Sequence, residues 1–148
     1  MQVNKSGIQL IKTFEGCLLN AYLCPAKVWT IGYGSTRYLN GTPVKQGDKI
    51  TQQEAEGLLS DTLNEFSHQV SKVVKINLTD NQFSALVSFA FNLGVGSLQK
   101  STLLKKVNAN PSDKTIEQEF LKWVNAGGKK LSGLVRRRQA EWNLYNTK

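Results

Sequence analysis

Apolar residues recur at helical spacing over much of the chain, and three of these stretches begin with the same polar signal. A hydroxyl residue followed three positions later by Glu or Gln is a capping box, and this pattern predicts helix starts at Ser6, Thr51 and Thr79. The stretch from about 51 to 74 has no proline, so it predicts a helix on the order of 36 Å long. Such a length exceeds what a small lobe needs, and we expect this helix to link two lobes.

Between about 18 and 47 the pattern changes. Glycines and prolines separate short segments that are rich in aromatic and β-branched residues, which is typical of strands joined by tight turns. The dipeptide Asn40-Gly41 is a hairpin-turn signal. The sequence therefore predicts a small antiparallel sheet in this part of the chain.

From Thr79 to the end of the chain the apolar residues again recur at helical spacing. The helix that starts at Thr79 is apolar on several faces and ends at Gly94, so we expect it to form the buried centre of a second lobe. Three amphipathic helices are predicted to follow, at about 101–108, 112–125 and 132–145. The predicted class is α+β, with a sheet lobe at about 13–50, a linking helix at about 51–74, and a helical lobe at about 75–148 that includes the N-terminal helix.

Composition narrows the function classes. Apolar residues make up 40% of the chain and charged residues 20%, which is typical of a globular protein rather than a disordered one. No apolar stretch approaches the roughly 20 residues of a membrane span, and no signal peptide is recognisable, so we expect a cytoplasmic protein with no stable membrane anchor. With one histidine, His68, and two cysteines, neither a metal site nor a cofactor is predicted.

Positive charge is concentrated in the back third of the chain. The net charge is +8, and residues 97–148 hold 11 basic against 4 acidic residues. This asymmetry favours an anionic partner, which includes nucleic acid, a membrane surface or an acidic polymer. No helix-turn-helix or RNA-binding signature accompanies the charge, so no nucleic-acid partner is predicted.

Glu15 is the first candidate for chemistry. It follows the apolar residues of the first helix and directly precedes Gly16, where the glycine-rich segment begins. A carboxyl group at such a helix end, facing a cleft, is suited to act as a general acid. The plain alternative is a solvated glutamate at a helix terminus.

Four blocks of sequence carry a family resemblance. The first is Phe14-Glu15-Gly16, and the second is Trp29-Thr30-Ile31-Gly32-Tyr33-Gly34. Glu15 is followed after eight residues by Cys24, and Cys24 after five residues by Thr30. Two later blocks lie at 81–94 and 123–138. In this order they resemble the phage-type lysozymes, or endolysins, of glycoside hydrolase family 24, over nearly the whole chain.

This resemblance implies a lysozyme-like fold and a muramidase activity. The substrate is expected to be bacterial peptidoglycan, cut by hydrolysis of the β-1,4 bond between N-acetylmuramic acid and N-acetylglucosamine during host-cell lysis. Glu15 would protonate the departing oxygen, and Cys24 and Thr30 would act on a water at the opposite ring face, as in an inverting mechanism. A lytic transglycosylase and a non-catalytic peptidoglycan-binding protein are the alternatives.

Cys24 departs from the aspartate that most of the family carries. Its chemistry allows three roles: a thiolate base if Lys27 or another cation lowers its pKa, a nucleophile that gives a retaining outcome, or a group that orients water. A small half-buried residue without a catalytic role is the alternative. A disulfide with Cys17 after release from the cytoplasm would remove the thiol.

The resemblance also suggests binding groups and partners. Asn92, Tyr22 and Tyr33 are candidates for contacts with the glycan, although a helix end and packing explain them equally well. One arginine of the run 136–138 is expected to approach Glu15, with the others solvated. The protein is expected to be a monomer that stays in the host cytoplasm until lysis and depends on a holin for release.

Overall fold

The computed structural model describes every residue from Met1 to Lys148. The chain forms seven helices and four short strands, and this mixture of helix and small antiparallel sheets confirms the predicted α+β class. No helix combines the length and the apolar character needed to cross a membrane. The elements in chain order are α1 (Lys5–Glu15), β1 (Leu18–Leu23), β2 (Trp29–Gly32), α2 (Gln52–Val73), α3 (Asp80–Leu93), α4 (Val95–Lys100), α5 (Thr102–Ala109), α6 (Ile116–Leu121), β3 (Asn125–Ala126), β4 (Lys129–Lys130) and α7 (Ser132–Tyr145).

The chain divides into two compact units. One unit, called here the sheet unit, comprises Ile11–Glu65, and the other, the helical unit, comprises Met1–Leu10 together with Phe66–Lys148. The divisions fall within α1 and α2, so both helices contribute residues to both units. The lobe boundaries expected from the sequence stay a prediction.

The sheet unit is built on one antiparallel hairpin. β1 pairs with β2 so that Tyr22 lies opposite Thr30, and an irregularity in the register separates this part from the start of β1. Ile31, Val44 and Leu58 are buried together beneath the hairpin, where the apolar side chains of one face leave water.

The predicted turn at Asn40-Gly41 is present. The amide of Tyr38 donates to the carbonyl oxygen of Thr42 at 2.9 Å, and the side chain of Asn40 accepts from the amide of Thr42 at 2.9 Å. Gly41 has a φ of 84°, a conformation that residues with a Cβ rarely adopt.

Two of the three predicted capping boxes are confirmed. In both, the hydroxyl accepts from a backbone amide three residues on while Glu54 or Gln82 accepts from the amide of Thr51 or Thr79. The start predicted at Ser6 is wrong. α1 begins at Lys5, because the side-chain oxygen of Asn4 accepts from the amide of Gly7 and caps the helix earlier.

Helix α3 is the buried centre of the helical unit, as the sequence predicts. Its residues from Phe83 to Ala90 are all buried, and α3 packs against α7. The ring of Phe89 meets Phe120 and Trp123 edge to face, with centroids 6.1 and 5.4 Å apart.

One prediction about the last third of the chain is wrong in detail. The helix predicted over 112–125 is only Ile116–Leu121, because Asp113 accepts from both the amide and the hydroxyl of Thr115 and holds a turn there. Between α6 and α7 the chain forms a short hairpin, β3 with β4. Gly127 and Gly128 have φ of 58° and 78°, which suits such a turn.

The arginine run is not mainly solvated. Arg136 is exposed, but Arg137 and Arg138 have exposed fractions of 4% and 0% and surround the fully buried Glu141. The hydroxyl of Ser88 donates to Glu141 Oε2 at 2.6 Å, and Arg138 Nε lies 2.8 Å from Oε1 without hydrogen-bond alignment. The expectation that two of the three arginines are solvated is therefore wrong, because α7 places Arg137 and Arg138 against a buried carboxyl group.

Candidate active site

Glu15 is the last residue of α1. Gly16, with a φ of 70°, ends the helix there, and its amide donates to the carbonyl oxygen of Lys12 at 3.0 Å. The Glu15 carboxyl group lies close to the chain just after β2: a Cβ built on Gly34 would be 3.4 Å from Glu15 Oε1. The glycine therefore leaves room for the carboxyl group at this point.

Cys24 and Thr30 lie together on one face of the hairpin. Tyr22 and Cys24 are two positions apart in extended chain, so their side chains point to the same side, and Thr30 is the cross-strand partner of Tyr22. The Thr30 hydroxyl is near enough to the Cys24 thiol to favour its ionised form. The structure thus brings together two of the three residues that the Glu15, Cys24 and Thr30 spacing predicts.

Hydrogen bonds lower the pKa of the Cys24 thiol below its ordinary value. The backbone amide of Val28 is the largest cause, and the amide of Ala26 and the Thr30 hydroxyl act in the same direction, while partial burial opposes them. The charge of Lys27 is not among the main causes of this shift. Lys27 contributes instead a turn in the left-handed region, with a φ of 62°, whose amide donates to the Cys24 carbonyl oxygen at 2.8 Å.

Thr30 is positioned by burial and by the backbone. Its exposed fraction is 4%, and its hydroxyl donates to the carbonyl oxygen of Val28 at 3.0 Å. A hydroxyl has one proton and two lone pairs, so Thr30 can turn that proton toward Cys24 when the thiol ionises. Thr30 is therefore able to follow the charge state of its neighbour.

Tyr22 is electrostatically close to both arms of the candidate site. Burial is the main cause that raises the pKa of its phenol, and the negative charges of Cys24 and Glu15 raise it further. A neutral phenol beside two groups that can be anionic is a hydrogen-bond donor for either of them. A contact of Tyr22 with a glycan stays a prediction.

Tyr33 is occupied by protein partners. Its exposed fraction is 8%, its hydroxyl donates to Glu56 Oε1 at 3.3 Å, and Gln52 Nε2 donates to that hydroxyl at 3.0 Å. The Lys12 ammonium lies 5.7 Å from the ring centroid. This geometry favours an anchoring role for Tyr33, and the predicted contact with sugar is untested.

Asn92 belongs to the helical unit, in the last turn of α3. Arg138 Nη2 donates to Asn92 Oδ1 at 2.7 Å, which fixes the amide and leaves its NH₂ group as a donor for a ligand. The predicted contact of Asn92 with an N-acetyl or hydroxyl group stays a prediction.

The two cysteines are free thiols. They flank β1 at its two ends, so extended chain of roughly 3.3 Å per residue separates them by on the order of 20 Å, far beyond disulfide reach. A disulfide between Cys17 and Cys24 therefore conflicts with this hairpin. Cys17 instead contacts Gln52 Oε1 at 3.7 Å, and His68 lies on the exposed surface of α2.

No group of three or more His, Cys, Asp or Glu side chains is arranged to hold a metal ion. The groups of the candidate site that are able to react are the carboxyl group of Glu15, the thiol of Cys24 and the hydroxyls of Thr30 and Tyr22.

Comparison with known proteins gives consistent matches. A family model described as phage lysozyme matches residues 12–141. The endolysin of Bacillus phage B103 is 44% identical over 99% of this chain, and the endolysin of Acyrthosiphon pisum secondary endosymbiont phage 1 is 40% identical over 99%. This chain spans 55% of the length of the first relative and 99% of the second. A solved endolysin from Escherichia coli O157:H7 phage FAHEc1 has a TM-score of 0.89 and 39% identity, covering 99% of this chain and 94% of its own.

Proposed function

The chain belongs to the phage lysozyme family, and from this premise we propose that it is a peptidoglycan-degrading endolysin used in host-cell lysis. Its reaction is hydrolysis of the β-1,4 bond between N-acetylmuramic acid and N-acetylglucosamine. The observation that carries this proposal is that Cys24 and Thr30 lie together on one face of the hairpin, where Tyr22 is the cross-strand partner of Thr30 and is close to the charges of both Cys24 and Glu15.

Glu15 is the proposed general acid. Its proton passes to the glycosidic oxygen as the bond to the anomeric carbon breaks, and positive charge develops on the sugar ring. Glu15 is on α1 and the Cys24–Thr30 pair is on the hairpin, so the acid and the groups that handle water come from separate segments. Inverting glycosidases need such a separation to admit a water molecule between the two sides.

Cys24 is proposed to take the proton of the attacking water, with Thr30 orienting that water. The amides of Val28 and Ala26 and the Thr30 hydroxyl favour the thiolate, and a thiolate is able to act as a base. The same thiolate is a nucleophile, so a covalent glycosyl–sulfur intermediate and a retained anomer are the outcome that would replace this proposal.

Asn92 and Tyr22 are proposed to contact the glycan, and the basic back third of the chain to attract the anionic cell wall. Net positive charge speeds the encounter with an anionic polymer at low salt, and added salt weakens this effect. We propose that the protein works as a monomer, waits in the host cytoplasm and reaches the wall only after a holin opens the membrane. Lysis on expression without any holin would contradict the last point.

A digest of purified peptidoglycan tests the activity. Wild-type protein and Glu15→Gln are each incubated with sacculi, and the fragments are reduced with borohydride and weighed by mass spectrometry. Reducible muramic ends from the wild type alone support a muramidase with Glu15 as its acid.

Two other results would redirect the proposal. Anhydromuramic ends, lighter by one water, indicate a lytic transglycosylase. A folded wild-type protein that binds sacculi and releases nothing indicates a non-catalytic peptidoglycan-binding protein. Circular dichroism of both proteins serves as the folding control.

A further inference from the structure

Four side chains of the sheet unit form a polar cluster beside the candidate active site. Lys12 on α1 forms an ion pair with Glu56 Oε2 on α2, and Glu56 Oε1 accepts from the Tyr33 hydroxyl at 3.3 Å. Gln52 Nε2 donates to Glu56 Oε1 at 3.0 Å and to the Tyr33 hydroxyl at 3.0 Å. These four residues, called here the Glu56 cluster, join α1, the chain after β2 and the first turns of α2.

The Glu56 cluster holds the two segments that flank Glu15. Lys12 lies three residues before Glu15 in α1, so both side chains are neighbours on the helix surface. Tyr33 directly precedes Gly34, the residue whose backbone approaches Glu15 Oε1. Any shift of Lys12 or Tyr33 away from Glu56 therefore moves a segment that defines the place of the Glu15 carboxyl group.

The cluster is too exposed to be a major source of stability. The side chains of Lys12 and Glu56 are 25% and 40% exposed, and ion pairs of this kind contribute little to stability. Its bonds are nevertheless well defined, because one carboxylate accepts from three different elements of the chain. A well-defined set of polar contacts that contributes little to stability is suited to holding a neighbouring catalytic group in place.

We propose that Lys12, Tyr33, Gln52 and Glu56 position Glu15 for proton transfer, with Glu56 as the residue that joins the others. This inference rests on the proposed function. Glu56 is a positioning residue, since it acts through Lys12 and Tyr33 and not by touching the substrate. Misplacement of a catalytic group by about 1 Å costs on the order of a hundredfold in rate, so a looser cluster lowers turnover.

The test compares Glu56→Gln, Lys12→Met and Tyr33→Phe with the wild type on purified peptidoglycan. We expect Glu56→Gln to lower kcat about tenfold with a much smaller change in KM, because it alters the position of the acid and not the binding groups. Lys12→Met, which removes the ion pair with Glu56, is expected to lower kcat by a similar factor. Tyr33→Phe, which keeps the ring, is expected to lower kcat less than Glu56→Gln does.

Asp61→Asn is the matched control. Asp61 is exposed on α2, so the substitution removes one carboxylate from the same helix without touching the Glu56 cluster. Its kcat and pH profile should equal those of the wild type. Equal kcat in Glu56→Gln and Asp61→Asn would overturn the proposal.

Hydrogen exchange separates this inference from the proposed function. The amide of Gly16 closes the last turn of α1 on the Lys12 carbonyl oxygen, so it reports on the helix end that carries Glu15. We expect it to exchange several-fold faster in Glu56→Gln than in Asp61→Asn, whether or not the protein cleaves peptidoglycan. Unchanged exchange would refute a positioning role, whereas an inactive wild type with faster exchange in Glu56→Gln would refute only the muramidase proposal.

Discussion

Two glutamates, one in each compact unit, have similar polar partners but differ in how deeply they are buried. Glu141 in the helical unit is contacted by two arginines and by the hydroxyl of Ser88, and it is fully buried. Glu56 in the sheet unit is contacted by a lysine, a tyrosine hydroxyl and an amide, and it is 40% exposed. Both carboxyl groups join several elements of the chain.

The surroundings give these two groups opposite electrostatic behaviour. Burial is the largest influence on Glu141 and raises its pKa, with Arg138, Ser88 and Arg137 acting against it. The hydrogen bond from Lys12 is the largest influence on Glu56 and lowers its pKa, with Gln52 acting in the same direction. When a buried carboxyl group loses a partner, the charge that remains has no water to solvate it. An exposed carboxyl group that loses a partner forms hydrogen bonds with water instead. We therefore expect the helical unit to respond to mutation in stability and the sheet unit in activity.

Glu141→Gln is expected to have the largest effect. It leaves the fully buried Arg138 without the carboxylate that it faces at 2.8 Å, and breaking such a pair costs about 3–5 kcal/mol of unfolding free energy. Urea unfolding measures this loss, with Glu117→Gln on α6 as a charge-matched control that should stay within about 0.5 kcal/mol of the wild type. An equal and small change in both variants would remove the basis for contrasting the two units.

Substitutions at Cys24 test whether the hydrolysis depends on an ionised group in the sheet unit. Cys24→Ser keeps the size and removes the low pKa, so we expect kcat to fall about a hundredfold, the usual contribution of a general base. Cys24→Asp restores activity, and the acid limb of its pH profile moves to lower pH because an aspartate ionises near pH 3.9. The sign follows from the role: a base works only when ionised, so activity rises as pH increases through its pKa.

Different results at Cys24 favour its other roles. An inactive Cys24→Asp, together with a glycosyl adduct on the wild-type thiol in a mass spectrum, indicates nucleophilic catalysis. An acid limb that does not move between the wild type and Cys24→Asp indicates that this position only orients water.

Local signals in the sequence predict the helix starts and the turns well, because they act within a few residues. The capping boxes at Thr51 and Thr79 and the turn at Asn40-Gly41 are examples. Ser6 fails because Asn4, two residues earlier, competes for the same helix end. In each of these cases the deciding hydrogen bond joins residues close together in the chain.

Long-range polar contacts are the part that the sequence does not reveal. Lys12 and Glu56 are ordinary charged residues of two amphipathic helices, and only the fold brings them together. The burial of Arg137 and Arg138 depends likewise on a carboxyl group one turn later in α7 and on Ser88 in α3. An i, i+3 or i, i+4 pairing of these arginines with Glu141 is visible in the sequence, but on an exposed helix face the same spacing is common.

Two glycines of the sheet unit make it possible to distinguish the effect of backbone strain from an effect on Glu15. Gly34 and Gly41 have φ of 92° and 84°, so alanine at either position strains the backbone by about 1–2 kcal/mol. Only at Gly34 does the new methyl group approach a functional atom, Glu15 Oε1, at 3.4 Å. We expect similar losses of stability in Gly34→Ala and Gly41→Ala, and a loss of activity in Gly34→Ala alone. Equal activities, measured on sacculi at a temperature where both are folded, would mean that the Glu15 carboxyl group does not depend on this approach.

The smallest expected effect is the pH-dependent stability contributed by Glu56. Its pKa in the folded protein lies below the ordinary 4.5, so its contribution is fully present above that value and is lost as pH falls through the lowered pKa. The unfolding temperatures of the wild type and Glu56→Gln should thus differ slightly and constantly above about pH 5 and converge in more acidic solution. Because the group is partly in water, the difference should stay well below that of Glu141→Gln at every pH. A deficit in Glu56→Gln that matches the one in Glu141→Gln would mean that exposure does not set the role of these two carboxyl groups, and the faster exchange expected at Gly16 would then reflect general loosening of the sheet unit.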